Sequence, residues 1–337
     1  MVKIGVLDYA QIDEGKNAAQ ALQETVTLAR LAESLGYERF WVAEHHNVPA
    51  FANSSPEVLM MRLADATGTI RIGSGGVMLP HYSPYKVAEN FRLLEAFHPN
   101  RIDLGFGNTI GTPLVNRTLN ENKERKFPYE QSVTDLIHYL SGTVDEAHRF
   151  HNITANPAIG TVPQMWALST SIKSAEIAAG HGVGYTFGLF PFIGPEKLKA
   201  GMEAVNIYRD TFKTSRSMPK SKVSIAPFVA IAETEEEAEA YGKALDLWLL
   251  GKNNFSELKT FPSVDTALNY PYSEKDKAMI KANRKRIIVG NKESVQEALS
   301  ELIAQFGADE VLLIPLIPGL EARKDAYRLL ADIGERI

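Results

Sequence analysis

Three ionisable side chains in a row, Glu44, His45 and His46, follow the apolar run Phe40 to Ala43. Imidazole titrates near neutrality and can give or take a proton, and a neighbouring carboxylate can fix its tautomer. If the run continues as a strand, the three side chains alternate in direction, so His45 and one of its neighbours face different sides. Proton transfer is the first expectation for the trio. The plainer alternative is a helix cap beside an ion pair. A metal site is the weaker expectation, because H-E-x-x-H is absent and His148 and His151 lie in a polar stretch without ligand spacing.

Three further segments carry residues that could bind a ligand. Gly73, Gly75 and Gly76 fall within four positions of a strand-like run, which points to a bulge, a flat ligand close to the backbone, or tight packing against neighbouring side chains. Gly105, Gly107 and Gly111 superficially resemble a dinucleotide fingerprint, but the spacing is G-x-G-x-x-x-G and a polar loop follows where a helix is required. The run Ser169, Thr170, Ser171, Ile172, Lys173, Ser174 opens a helical pattern. Free amides at a helix start attract an anion, so this is either a phosphate cradle or ordinary N-capping.

The elements that must position these residues are short apolar runs alternating with helical patterns. Strands are expected at Lys3 to Leu7, Arg39 to Ala43, Ile70 to Leu79, Arg101 to Phe106, Met165 to Ser169, Gly184 to Leu189, Val223 to Ala232 and Glu310 to Leu316. Helices are expected near Lys173 to Ala179, Pro195 to Phe212, Glu235 to Leu250 and Gly319 to Ile333. Eight βα pairs favour a closed α/β (β/α)8 TIM barrel, whose active site lies at the C-terminal ends of its strands. Two segments interrupt the rhythm, Thr109 to Glu130 after strand 4 and Gly251 to Arg286 after the strand 7 helix. Both are expected to be insertions, with lid-like loops near the mouth one use for them. No linker divides the chain, so residues 1–337 are expected to form a single domain. The helices around Glu57 to Thr67 and Tyr85 to Phe97 are apolar over more than one face, which predicts a homodimer interface.

Composition narrows the function classes. With no cysteine there is no disulfide, thiolate metal site or cysteine nucleophile, so redox chemistry requires a cofactor. A net charge of −5 gives no electrostatic case for nucleic acid or an anionic membrane and leaves a small molecule as the expected ligand. No run approaches the roughly 18 apolar residues of a membrane helix, and no leader pattern opens the chain, so a cytoplasmic protein is expected.

Taken together, Phe40 to Asn47, Arg71 to Ser83 and Val87 to Gly107 resemble the bacterial luciferase-like monooxygenase family, in its single-chain, non-luminescent oxidoreductase branch. The resemblance spans nearly the whole chain. It implies a barrel that binds reduced flavin mononucleotide (FMN), delivered by a separate flavin reductase, and that uses oxygen to oxidise a small organic substrate. It assigns His45 as the catalytic acid/base that stabilises the oxygenated flavin, with Glu44 and His46 in support. It further implies a non-prolyl cis peptide at Gly75–Gly76 beneath the flavin ring. Phosphate contacts are implied at Ser171, Ser174 and the Thr170 amide. One departure stands out: Asn108 occupies the place where the family commonly has a phosphate-gripping Arg, leaving Lys173 or Arg117 to supply a cation. Trp41, Phe106 and Phe187 are candidates for apolar cover. Two other functions stay open, a deazaflavin-dependent oxidoreductase and a non-catalytic flavin-binding homologue.

Overall fold

Strand-forming runs rich in Ile, Val, Phe and Trp, buried on both faces, build a parallel barrel in this computed structural model, which describes residues 2–121, 128–141, 146–190 and 196–337. The strands are β1 (Lys3–Asp8), β2 (Arg39–Val42), β3 (Arg71–Met78), β4 (Ile102–Gly107), β5 (Gln164–Ser169), β6 (Gly184–Gly188), β7 (Val223–Ala226), β8 (Phe228–Ile231), β9 (Ile287–Gly290) and β10 (Glu310–Leu313). Strands β1 to β7 follow one another around the barrel, and β10 closes it between β7 and β1.

The helices are α1 (Ala18–Ser34), α2 (Pro56–Ala66), α3 (Pro84–Phe97), α4 (Pro113–Leu119), α5 (Tyr129–Ser141), α6 (Ile172–His181) and α7 (Glu196–Thr211). They continue with α8 (Glu235–Leu249), the single turn α9 (Lys252–Phe255), α10 (Val264–Asn269), α11 (Glu274–Asn283), α12 (Lys292–Phe306) and α13 (Leu320–Gly334). The expected start of α7, Pro195, lies outside the described residues, as do 122–127 of the first insertion. No described helix is long and apolar enough to cross a membrane.

The seventh strand departs from expectation. Pro227 has no N–H to give a ladder, and the run Val223 to Ala232 breaks there. Its first half stays in the barrel as β7, whereas β8 leaves and pairs in parallel with β9, a strand not foreseen from the sequence. Helix α8 packs on this two-stranded sheet and on α10 and α11, so it belongs to the excursion. The helix that takes the seventh place around the barrel, packed between α7 and α13, is α12. The second insertion is therefore larger than Gly251 to Arg286: it is a βαβ unit running from β8 to β9. Its connecting segment crosses to the mouth, where the Phe261 amide donates to the Ile12 carbonyl at 2.7 Å.

Below the mouth, the barrel interior holds a charged plug. Arg39 pairs with Asp103 and with Glu310 at 2.7 Å, Arg71 reaches the other Asp103 oxygen, and Lys222 adds a contact to Glu310 at 3.2 Å. The Trp41 indole N–H donates to Asp103 at 2.8 Å, and the Trp166 ring lies 4.8 Å from the Arg39 guanidinium. Against the penalty of burial, the two guanidiniums hold the Asp103 carboxyl below its usual range. Trp41 thus belongs to the interior of the barrel, not to the cover of a pocket. Phe187 stacks on Phe306 of α12 at 5.2 Å and Phe106 packs toward Tyr129 of α5, so both face the helical layer. None of the three expected cover residues lines the mouth, because the strand alternation puts Phe106 and Phe187 on outward positions.

Candidate active site

Strand β2 delivers its last side chains to opposite sides of the mouth, as its alternation requires. Glu44 turns toward β3. One oxygen accepts the Met78 amide at 2.9 Å, and the other accepts the Tyr82 hydroxyl at 2.6 Å and lies 2.7 Å from His46 Nε2. This buried carboxylate therefore ties the end of β3 to the end of β2. Burial, followed by its bond to Glu44, pushes the Tyr82 phenol well up, so Tyr82 is a neutral donor. Tyr82 was not singled out in the sequence; only its place three residues after Leu79 in the Leu-Pro-His-Tyr-Ser run hinted at a turn.

His45 turns the other way, into aromatic surroundings. Its ring centroid is 4.6 Å from Tyr9 and 4.9 Å from Phe51, and Phe51 is in turn 4.9 Å from Trp248. Asn53 holds the backbone of this turn: its side-chain amide donates to the Ala43 carbonyl at 2.7 Å, and its carbonyl accepts the His45 amide at 3.2 Å. His45 Nδ1 is buried with no hydrogen-bond partner among the described residues. A sealed nitrogen without a partner costs free energy, roughly 1–3 kcal/mol, that a ligand able to pair with it recovers.

Burial, helped by the adjacent His46, lowers the His45 pKa to about 4, so its imidazole is neutral at pH 7. The folded value lies below the ordinary value of 6.5, so the unfolded chain binds more protons between these two. The stability that His45 contributes is present above 6.5 and is lost as pH falls toward 4. The loss is roughly 3 kcal/mol over that window. Urea melts at about pH 7 and about pH 4.5 should show a larger drop for the wild type than for His45→Gln. Equal drops would contradict a depressed pKa.

On the adjoining strand β3, the Gly75–Gly76 peptide is cis, as the resemblance implied, and the β3–β4 register slips between Ser74 and Val77. The glycines are required by packing. A Cβ on Gly75 would lie 2.5 Å from Leu7, and one on Gly76 would lie 2.9 Å from the Gly105 backbone. Both residues keep partly exposed backbone at the mouth.

On the far side, Gly107 pairs in register with Leu168, which sets Asn108 beside Ser169 at the adjoining strand ends. Asn108 is exposed. Ser171 caps α6, its hydroxyl accepting the Ser174 amide at 3.2 Å and donating to the Ser174 hydroxyl at 3.0 Å. The Ser171 amide donates to Ser169 Oγ at 3.1 Å. N-capping therefore accounts for Ser171, and it gathers hydroxyls at one helix start beside Thr170. Lys173 does not join them, because it is exposed and pairs with Glu130 at 3.2 Å. Arg117 is exposed on α4. His148 is buried rather than part of an open polar loop: it pairs with Asp135 at 3.0 Å and stacks on His138 at 3.7 Å.

The family model for luciferase-like monooxygenases matches residues 2–310, and the chain belongs to that family. It is an oxidoreductase enzyme. An uncharacterised protein, YwcH of Bacillus subtilis, is 43% identical over 98% of this chain and 99% of its own. The N-acetyl-S-alkylcysteine monooxygenase of the same organism is 34% identical over 98% of each chain. Among solved structures, apo-MsnO8 superposes with a TM-score of 0.86 at 33% identity, covering 100% of this chain and 99% of its own.

Proposed function

We propose that this chain is a flavin-dependent monooxygenase that uses reduced FMN and oxygen, places one oxygen atom on a small organic substrate and releases the other as water. The observation that carries the reading is His45, a neutral imidazole with a sealed, unpaired Nδ1 at the mouth of a luciferase-type barrel. The oxygenating constituent of a diketocamphane monooxygenase from Pseudomonas putida, solved in complex with FMN, has the same fold at 17% identity and a TM-score of 0.70 over 100% of this chain and 99% of its own. Reduced flavin, when bound, supplies the two electrons that the second oxygen atom takes up.

The chain's own residues do the rest. Exposed backbone at Gly75 and Gly76 accepts a flat ring, because nothing projects from it. The Thr170 amide and the Ser171 and Ser174 hydroxyls are the donors offered to the phosphate, with Asn108 adding a side-chain amide. His45 gives and recovers a proton at Nδ1, and Glu44 and His46 hold the mouth in shape. The aromatic wall of Tyr9, Phe51 and Trp248 keeps water away from the reacting groups.

The phosphate end is neutral in this reading. Asn108→Arg should therefore tighten reduced FMN about tenfold by adding a bidentate cation, and calorimetry would show it. No gain would place the phosphate elsewhere.

Residues 1–337 act as one unit in this reading, with a separate flavin reductase as the source of reduced FMN. The protein works as a homodimer through α2 and α3, where Val58, Leu93 and Phe97 are 70%, 48% and 65% exposed. The name of the N-acetyl-S-alkylcysteine relative makes thioethers of that class the first substrates to try. The test is turnover under isotopically labelled oxygen with a reduced-FMN supply. One labelled atom should appear in the product, and a product without label would overturn the monooxygenase reading.

A further inference from the structure

Glu44 is a buried carboxylate with no Lys or Arg paired to it among the described residues, and its side chain is 1% exposed. Three donors converge on it instead. The Met78 amide gives to Oε2 at 2.9 Å, while Oε1 takes the Tyr82 hydroxyl at 2.6 Å and His46 Nε2 at 2.7 Å. An ionised carboxylate only accepts hydrogen bonds, and several of them make its charge tolerable away from water. The Met78 amide is fixed in the backbone, so the side chains that hold Glu44 are Tyr82 and His46.

A turn brings Tyr82 to this place. Strand β3 ends at Met78, Leu79–His81 form a single 3-10 turn, and the Tyr82 amide closes it on the Leu79 carbonyl at 3.2 Å, just before α3 begins at Pro84. Tyr82 thus follows β3, Glu44 and His46 follow β2, and one carboxylate oxygen joins them. The Tyr82 hydroxyl also lies 3.4 Å from His46 Nε2, so the two donors sit side by side. With an accepting oxygen in front of it, Nε2 carries the imidazole proton, and Nδ1 keeps its lone pair. His46 Nδ1 has no hydrogen-bond partner among the described residues, and the side chain is 18% exposed.

We propose that Tyr82 is a positioning residue for the reaction at this mouth: by donating to Glu44 it holds the carboxylate against His46, which keeps that imidazole in its Nε2–H form with Nδ1 open as a proton acceptor. The inference rests on the mouth being the site of substrate oxidation, but its first test needs no flavin. Without the hydroxyl, Oε1 loses one of its two donors, and the carboxylate is anchored only through Oε2 and Met78. It is then free to turn about that bond and away from His46. A histidine whose ring nitrogen has lost its acceptor populates both neutral forms.

Tyr82→Phe removes the hydroxyl and keeps the ring. Long-range nitrogen–proton NMR of the flavin-free protein at about pH 8, where an ordinary imidazole is neutral, distinguishes the two forms. The chain has eight histidines, and the His46 pattern is the one missing in His46→Gln. The wild type should show one Nε2–H pattern for His46, and Tyr82→Phe a mixture of both forms. In turnover, Tyr82→Phe should lower kcat about tenfold and leave the substrate KM within about twofold. Glu44→Gln should lower kcat at least as far, and the double variant no further than Glu44→Gln alone, because Tyr82 acts through Glu44. The proposal is overturned by an averaged or Nδ1–H pattern in the wild type, by an unchanged pattern in Tyr82→Phe, or by kcat losses that multiply in the double variant. Failure of these tests with FMN still binding removes the role of Tyr82 alone; failure of FMN binding removes the flavin reading, and the tautomer pattern still judges the hold of Tyr82 on Glu44 and His46.

Discussion

His45→Ala is expected to lower substrate oxidation about a hundredfold to ten-thousandfold under a reduced-FMN supply, the range that a lost acid/base group produces. The fold should stay intact. The ring sits among Tyr9 and Phe51, and the backbone of the turn is held by Asn53 independently of the imidazole. His45→Phe would preserve the packing and separate loss of the proton carrier from loss of volume. Both variants should be equally inactive if Nδ1 is what matters, whereas recovery of turnover in His45→Phe would make the residue a packing element only.

Arg39→Met should produce the largest loss of stability, about 3–5 kcal/mol in urea melts, because it leaves buried carboxylates without their shared cation. Asp103 would keep Arg71 and the Trp41 indole, and Glu310 would keep Lys222, so the loss should fall short of complete unfolding. Combining Arg39→Met with Glu310→Gln should cost less than the sum of the two single changes, since neutralising Glu310 removes one of the stranded charges. Strict additivity would mean that the two side chains do not act on one another. This plug lies on the same strands whose far ends form the mouth: β2 carries Arg39 and leads to Glu44 and His45, and β3 carries Arg71 and leads to the glycine pair.

The barrel was legible because each parallel strand is buried on both faces and reads as a continuous apolar run. The Glu44, His45, His46 trio was legible because three ionisable groups rarely close such a run. What the chain does with strand 7 was harder to see. An amphipathic helix such as α8 shows the same periodicity whether it packs on the barrel or on a satellite sheet, and only Pro227 marked the break. The cover residues were misplaced for a related reason. Aromatic type says that a residue is buried, and strand phase decides whether Phe106 or Phe187 faces the mouth or the helices. Tyr9, Phe51 and Trp248 come from three separate segments that meet only through closure of the barrel and the crossing of the second insertion, so no local spacing could reveal them. Lys173 was read as a charge for the phosphate, yet it is drawn off to Glu130, a partner 43 positions earlier in the chain.

Reduced flavin at the mouth is the central requirement of the proposed chemistry. Anaerobic titration with reduced FMN, followed by absorbance and by quenching of the protein's tryptophan emission, tests this directly, with a reduced deazaflavin titrated in parallel. Saturable one-to-one binding of reduced FMN, stronger than that of the deazaflavin, is the predicted result. Binding of the deazaflavin in preference to FMN, or of neither, would contradict it.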